Sequence, residues 1–303
     1  MSDVQNRIDV RTDDTAELAE IARRIRVSIV EMLAAAGSGH SAGPLGMAEM
    51  MTVLYFHAMR HDPADPGWDG RDVFFLSHGH TAPVLYAALA HAGYLPLEEL
   101  STLRRHGSRL QGHPERAALP GIESTSGPLG SGLSQAAGYA YALQYLDEPN
   151  DRHVYVAMGD GELDEGNIWE AAMFAAGHRL ERLIGIVDRN RIQIDGDTED
   201  VMPLGDLRAK WEAFGWHAVD VDGNDIPALI AAIDVAKATP GAPHVIVAHT
   251  VPGRGVSFME GDHRWHGKPP SPDQAVAALA ELGGAPAARE GRPPATTGEG
   301  RRP

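Results

Sequence analysis

The run Gly159 to Asn190 reads "GDGELDEGNIWEAAMFAAGHRLERLIGIVDRN". It holds an acid between two glycines, then a helical run, an apolar run and an amide. "HVYVAM" precedes it, so the pattern predicts strand, helix "NIWEAAMFAAGH" and strand "LIGIVD", a β-α-β crossover. In a parallel sheet both strands end on one edge, and ligands bind outside the carboxyl ends. The crossover therefore brings Asp160 and Asn190 side by side. Both offer oxygen, the ligand type that Mg²⁺ and Ca²⁺ prefer, and Mg²⁺ usually keeps substrate phosphate oxygens as well. Gly159 and Gly161 let backbone amides come close to a phosphate. One reading is a metal–diphosphate site. The other is a turn acid that caps the following helix, and spacing alone does not separate them.

The same alternation extends outward. "TAELAEIARRIRVSIVEMLAAA" (Thr15–Ala36) has helical periodicity, and Gly37 and Gly39 stop it. A second helical run, "PLGMAEMMTVLYFHAM", begins at Pro44. "DVFFLS" is a strand ending at Ser77, followed by a loop and the helix of "HGHTAPVLYAALAHAG". "SGLSQAAGYAYALQYL" and "IPALIAAIDVAKA" are further helices, and "PHVIVAHT" is a last strand. The fold class is α/β, a mostly parallel sheet with helices on both faces. Residues 1–14 read as a flexible N-terminus and residues 15–282 as one domain. Residues 283–303, rich in Gly, Pro, Ala and Arg, read as a disordered tail.

Composition narrows the function. At 303 residues the chain can bury one large core, and its formal charge of −16 argues against nucleic-acid binding. Cysteine is absent, which removes disulfides, thiolate metal sites and a cysteine nucleophile. No run approaches the ~18 apolar residues of a membrane span, and Met1 to Asp14 lacks the apolar core of a signal peptide. A cytoplasmic protein is expected.

"GDG" followed by the distant Asn resembles the thiamine diphosphate signature, whose Asp and Asn side chains bind Mg²⁺ together with a backbone carbonyl two residues later. Those positions are Asp160, Asn190 and Ile192. Further motifs stand in the order of one family: "GSGHSAGPLGMA", "FLSHGHTAPVLYA", "GSRLQGHPE", "TSGPLGSGLSQAAGYA" and "GDHRWHG". Together they resemble transketolase over roughly Leu18 to Pro270. Single-chain members continue into a pyrimidine-binding domain and a third domain. The chain thus resembles the N-terminal subunit of a split transketolase, and "VPGRGVSFMEGDHRWHGKPP" is closer to the split enzymes.

The resemblance implies thiamine diphosphate and Mg²⁺ as cofactors, with Ca²⁺ or Mn²⁺ able to substitute, and transfer of a two-carbon ketol unit from a ketose (phosphate) to an aldose (phosphate). It implies that His40, His80, His113 and His266 surround the thiazole, the diphosphate and the donor hydroxyls, with His113 at the donor's C1 hydroxyl. Gly127 meets the aminopyrimidine through its backbone and Leu129 packs on the cofactor. Glu165 and Glu170 lie at a subunit interface. The glutamate that activates the cofactor belongs to the missing pyrimidine-binding domain, so a C-terminal subunit is required and an α₂β₂ heterotetramer is expected.

Each residue also has a plainer reading. A loop histidine is most often structural, a His pair can bind a transition metal, and "GPLGSG" can be a helix-entry turn. Glu165 and Glu170 can simply favour a helix N-terminus. His57, His61, His91, His178 and His217 read as structural. The alternatives at the level of function are a 1-deoxyxylulose-5-phosphate synthase-like enzyme or 2-oxoacid dehydrogenase component, and a non-catalytic binding paralogue.

Overall fold

In this computed structural model residues 10–147 and 150–283 are described. The strands in chain order are β1 (Val73–Leu76), β2 (Val154–Gly159), β3 (Leu183–Arg189), β4 (Ile192–Gln193), β5 (Gly196–Asp197), β6 (His217–Asp222) and β7 (His244–His249). The helices are α1 (Thr15–Ala36), α2 (Ala42–Gly46), α3 (Ala48–Val53), α4 (Ala82–His91), α5 (Ser131–Tyr145), α6 (Gly166–Gly177), α7 (Thr198–Val201), α8 (Leu207–Ala213), α9 (Ile226–Ala238) and α10 (Pro272–Glu281). Five strands form a parallel sheet in the order β1-β2-β3-β7-β6, while β4 and β5 pair as a separate antiparallel hairpin.

Strand alternation builds the three layers. Val154, Val156 and Met158 of β2 face one core with α5, α6 and α8. Tyr155 and Ala157 face the other core, with α1, α3, α4 and α9. Successive side chains of a strand point to opposite faces, and both faces here are covered, so the strand is apolar throughout. Helix α6 covers one face between β2 and β3; α9 covers the other between β6 and β7. The winding direction therefore reverses beyond β3, which opens a crevice at the carboxyl edge.

The predicted crossover is present. Gly159 of β2 stands opposite Asp188 of β3, so Asp160 and Asn190 leave adjacent strands on the same edge. Gly37 ends α1 in the left-handed region (φ 61°), as expected of a C-cap glycine. The run from Pro44 is not one helix: it breaks at Met47 and finishes in a π-helical turn, Leu54–Ala58. Strands β4, β5 and β6 and helices α7, α8 and α10 lie outside the sequence expectation. Strand β6 is the sheet's solvated edge and has no continuous apolar run. Helix α10 is announced only by its capping box, Ser271 with Gln274. The β4–β5 hairpin is too short to show a period.

The expected N-terminal and tail segments fall largely on residues 1–9 and 284–303, outside the described residues. Within the described part, the Thr12 N–H donates to the Phe56 carbonyl (2.7 Å) and the Asp14 side chain caps α1.

Candidate active site at the carboxyl edge of the sheet

Three strand ends and the loop after β7 converge on one cleft, with about 640 Å³ of empty space open to solvent. His78, His80, Leu129, Asp160, Asn190, Ile192 and His266 line it, with Ile194 at its mouth. These are sequence-distant residues, gathered because each sits just beyond the end of a strand or on a loop above it.

The oxygen pair is held from behind. Asp160 Oδ2 accepts from the Arg191 N–H (2.7 Å) and from Arg189 Nη1 (3.0 Å), and Oδ1 accepts from the Gly161 N–H (2.8 Å). Burial raises the Asp160 pKa, opposed by these donors. Arg189 is itself anchored by Thr198 (2.7 Å) and Glu199 (2.5 Å) at the start of α7. Asn190 Nδ2 donates to Asp188 (2.7 Å), and its Oδ1 accepts the Ile192 N–H (3.0 Å). Asp188 is fully buried and also accepts the Thr250 hydroxyl; burial pushes its pKa up to about 7. The glycine amides flanking Asp160 point inward: Gly159 N–H to Glu162 (3.1 Å) and Gly161 N–H to Asp160 itself.

The chemistry of this donor set fits Mg²⁺ bound to a diphosphate. One carboxylate, one amide oxygen and the backbone at Ile192 form a partial oxygen set, which Mg²⁺ completes with phosphate oxygens and water. Among the described residues no three His, Asp or Glu side chains cluster as a metal site, so the transition-metal reading of the histidine pairs has no geometric support.

The histidines form a second group. His40, His80 and His266 are mutual neighbours, with ring centroids 4.9 Å (His40–His80), 5.6 Å (His40–His266) and 5.2 Å (His80–His266) apart. His40 Nδ1 is buried with no protein partner. Burial first, then the charges of His266, Arg104 and His113, lowers the His40 pKa to about 4. Burial also lowers His80, reinforced by its histidine neighbours, and lowers His266. At neutral pH these are neutral imidazoles, each able to donate one hydrogen bond and accept one. His113 is exposed and close to Gly79 but does not line the cleft; partial burial and Arg104 lower its pKa.

Gly127 and Leu129 lead into α5. Gly130 enters it at φ 81°, and a Cβ there would meet Asn167 Oδ1 at 1.8 Å. The plainer reading of "GPLGSG" as a helix entry therefore holds at that glycine. Glu165 and Glu170 are exposed, and Glu170 borders a shallow groove with Ser134, Gly138 and Phe174. His61, expected to be structural, is buried between Tyr94 (3.0 Å) and the Tyr55 carbonyl (2.6 Å).

Sequence reasoning does not single out Asp188, Arg189, Glu162, Ser77 or Arg104 as site residues. His78 reads in sequence as a loop histidine, or with His80 as a transition-metal pair. It is buried against the Ala157 carbonyl (3.1 Å) and Met47 Sδ (3.2 Å) and lines the cleft. The one signal in the sequence is register: a charged residue at a buried position near the end of a central strand, as at Asp188, is unusual unless it serves a site.

An α/β domain with a cleft lined by oxygen donors and imidazoles at the carboxyl edge of its sheet is thus defined. Residues 18–290 match the family model described as transketolase, thiamine diphosphate binding domain. The chain is 44% identical over 271 residues to a 6-deoxy-6-sulfo-D-fructose transketolase subunit of Clostridium sp., covering 89% of this chain and 98% of that one. It is 41% identical over 267 residues to one of the named subunits of an apulose-4-phosphate transketolase of Actinobacillus succinogenes, covering 88% and 96%. Among solved structures it is similar to the transketolase from Leishmania mexicana, at TM-score 0.85 and 38% identity over 89% of this chain but 42% of that one. The chain belongs to the transketolase family, an enzyme family of transferases.

Proposed function

We propose that this chain is the thiamine diphosphate- and Mg²⁺-holding subunit of a split transketolase that moves a two-carbon ketol unit from a ketose or ketose phosphate to an aldose or aldose phosphate. The observation that carries the reading is one cleft joining the Asp160–Asn190 oxygen pair to His80 and His266, against which His40 packs. The near-complete overlap with relatives named as separate subunits supports the split. Those relatives act on a sulfonated ketose and on apulose 4-phosphate by their names, which supports a sugar substrate without choosing one.

Asp160, Asn190 and the Ile192 carbonyl would hold Mg²⁺, and Leu129 and Ile194 would flank the cofactor's rings. When bound, thiamine diphosphate supplies the electron sink for cleavage of a carbon–carbon bond. This chain's residues supply position and proton handling. His40, His80 and His266 bond diphosphate oxygens and donor hydroxyls, and their neutrality lets each accept as well as give a proton. His113, on the loop beside Gly79, would hold the donor's C1 hydroxyl. A decarboxylating 2-oxoacid enzyme has no hydroxyl-rich donor to recognise, so the histidine cluster favours the ketose reading.

A partner chain supplies the activating glutamate, and the assembly is an α₂β₂ heterotetramer in which Glu165 and Glu170 meet another protomer. Exposed Tyr145, Leu146, Met173 and Phe174 on α5, its end and α6 support a covered face there. The test is to purify the chain, mix it with the candidate C-terminal partner, and follow size-exclusion elution and ketol transfer. Activity should appear only in the mixture. Robust turnover by the chain alone would overturn the split-enzyme reading.

A further inference from the structure

Glu162 lines the cleft at 2% exposure, and its three hydrogen-bond donors come from the ends of β1 and β2 and from the turn before α5. Its Oε1 accepts the Ser77 hydroxyl (2.5 Å) and the Gly130 N–H (2.5 Å), and its Oε2 accepts the Gly159 N–H (3.1 Å). Ser77 ends the loop side of β1 and precedes His78 and His80; Gly130 follows Leu129; Gly159 precedes Asp160. We propose that Glu162 is a positioning residue that sets these three loops against one another, so that one carboxylate fixes where the histidines, the apolar contact and the metal-binding acid stand. The proposal rests on reading the cleft as a thiamine diphosphate site.

The chemistry requires a carboxylate rather than any polar group. Every partner is a donor. Ser77 cannot reverse its role freely, because its Oγ already accepts the Gly132 N–H (3.1 Å). Gly132 packs so closely that a Cβ there would lie 2.4 Å from Ser77 Cβ, which seats the start of α5 on the end of β1. An ionised carboxylate accepts at both oxygens, and bonds from neutral donors to a charged acceptor are stronger than neutral pairs. A glutamine in the same place turns an NH₂ group toward the Gly159 N–H, or toward Gly130 and Ser77. Either way one amide faces a donor and loses its partner.

Loop placement differs from a general structural role in what it changes. A misplaced Asp160 loop weakens cofactor binding, and excess cofactor restores turnover. Lost fold stability lowers turnover at every cofactor concentration. The experiment uses Glu162→Gln and, as a milder change, Ser77→Ala in the full chain assembled with its partner. Thiamine diphosphate with Mg²⁺ is titrated by tryptophan fluorescence, donor KM is measured at saturating cofactor, and amide hydrogen exchange is followed at Gly130 and Gly159. Glu162→Gln should raise the cofactor Kd on the order of 10- to 100-fold, the range for residues that orient metal ligands. Donor KM at saturating cofactor should rise as well, because the Ser77 contact places the loop of His78 and His80, but by less than the cofactor Kd, and exchange at Gly130 or Gly159 should speed up. Ser77→Ala should shift the same readouts in the same direction by less. Unchanged exchange and unchanged Kd in both variants would overturn the proposal. If the unaltered protein fails to bind the cofactor, the functional reading falls. The exchange at Gly130 and Gly159 still decides whether Glu162 clamps the loops.

Discussion

Asn190 gives its amide hydrogens to Asp188 at 2.7 Å, which turns its Oδ1 away from the sheet interior, where the Ile192 N–H meets it at 3.0 Å. The orientation of the Asn190 amide, the proposed metal ligand, is thereby decided by a buried acid beneath it. Asp188→Ala removes that acceptor and should raise the Mg²⁺ requirement by about 10-fold or more, the effect expected when a ligand's orienting partner is lost. Asp188→Asn should stay near wild type, because an amide there can accept from Asn190 and donate to Thr250. Magnesium titration of cofactor-dependent fluorescence measures both, and an unaffected Ala variant contradicts the orienting role.

Asp160→Ala takes away the only carboxylate of the oxygen set. Mg²⁺-dependent binding of thiamine diphosphate by the assembled enzyme should be abolished. Arg189 keeps Thr198 and Glu199, so the chain should remain folded by circular dichroism. Cofactor affinity unchanged in a fluorescence titration would remove Asp160 from the metal site.

His113 is exposed beside Gly79 and is not among the residues that line the cleft with the oxygen pair. His113→Ala should therefore raise donor KM or lower kcat while leaving cofactor Kd nearly intact. The opposite pattern, lost cofactor binding with normal donor kinetics, would give His113 another task.

His78 is buried, and burial lowers its pKa from 6.5 to about 4, partly offset by its bond to the Ala157 carbonyl. The unfolded chain takes up this proton first as pH falls. The stability due to neutral His78 is thus fully present above about pH 6.5 and is lost progressively toward pH 4. Asp188 acts with the opposite sign: its pKa is raised to about 7, so its contribution is present at low pH and lost as pH rises through 7. The informative quantity is a difference between proteins. His78→Gln should show a shallower fall of Tm than wild type between pH 6.5 and 5, measured by thermal denaturation. Parallel curves would mean that His78 is not held neutral by the fold.

The local pattern of the chain carried the crossover from β2 through α6 to β3, because apolar runs of strand and helix length are properties of consecutive residues. It also carried Asp160 and Asn190, since parallel strands deliver their ends to one edge whatever the rest of the fold does. Helices α1, α5, α6 and α9 were legible from the same periodicity. Edge strand β6 was not, since one of its sides is solvated and the other packs only partly.

The residues that aim the site were out of reach for a related reason. Asp188, Arg189 and Glu162 look in sequence like ordinary charges beside a turn. Their roles come from partners such as Thr250, Thr198, Ser77 and Gly130, brought within hydrogen-bond distance only when the sheet and its loops assemble. The sequence by itself determined which oxygen atoms and imidazoles reach the carboxyl edge, through strand ends and local periodicity. The tertiary structure alone decided which way they face and whether they are charged, because hydrogen-bond geometry and burial depend on neighbours that are remote along the chain.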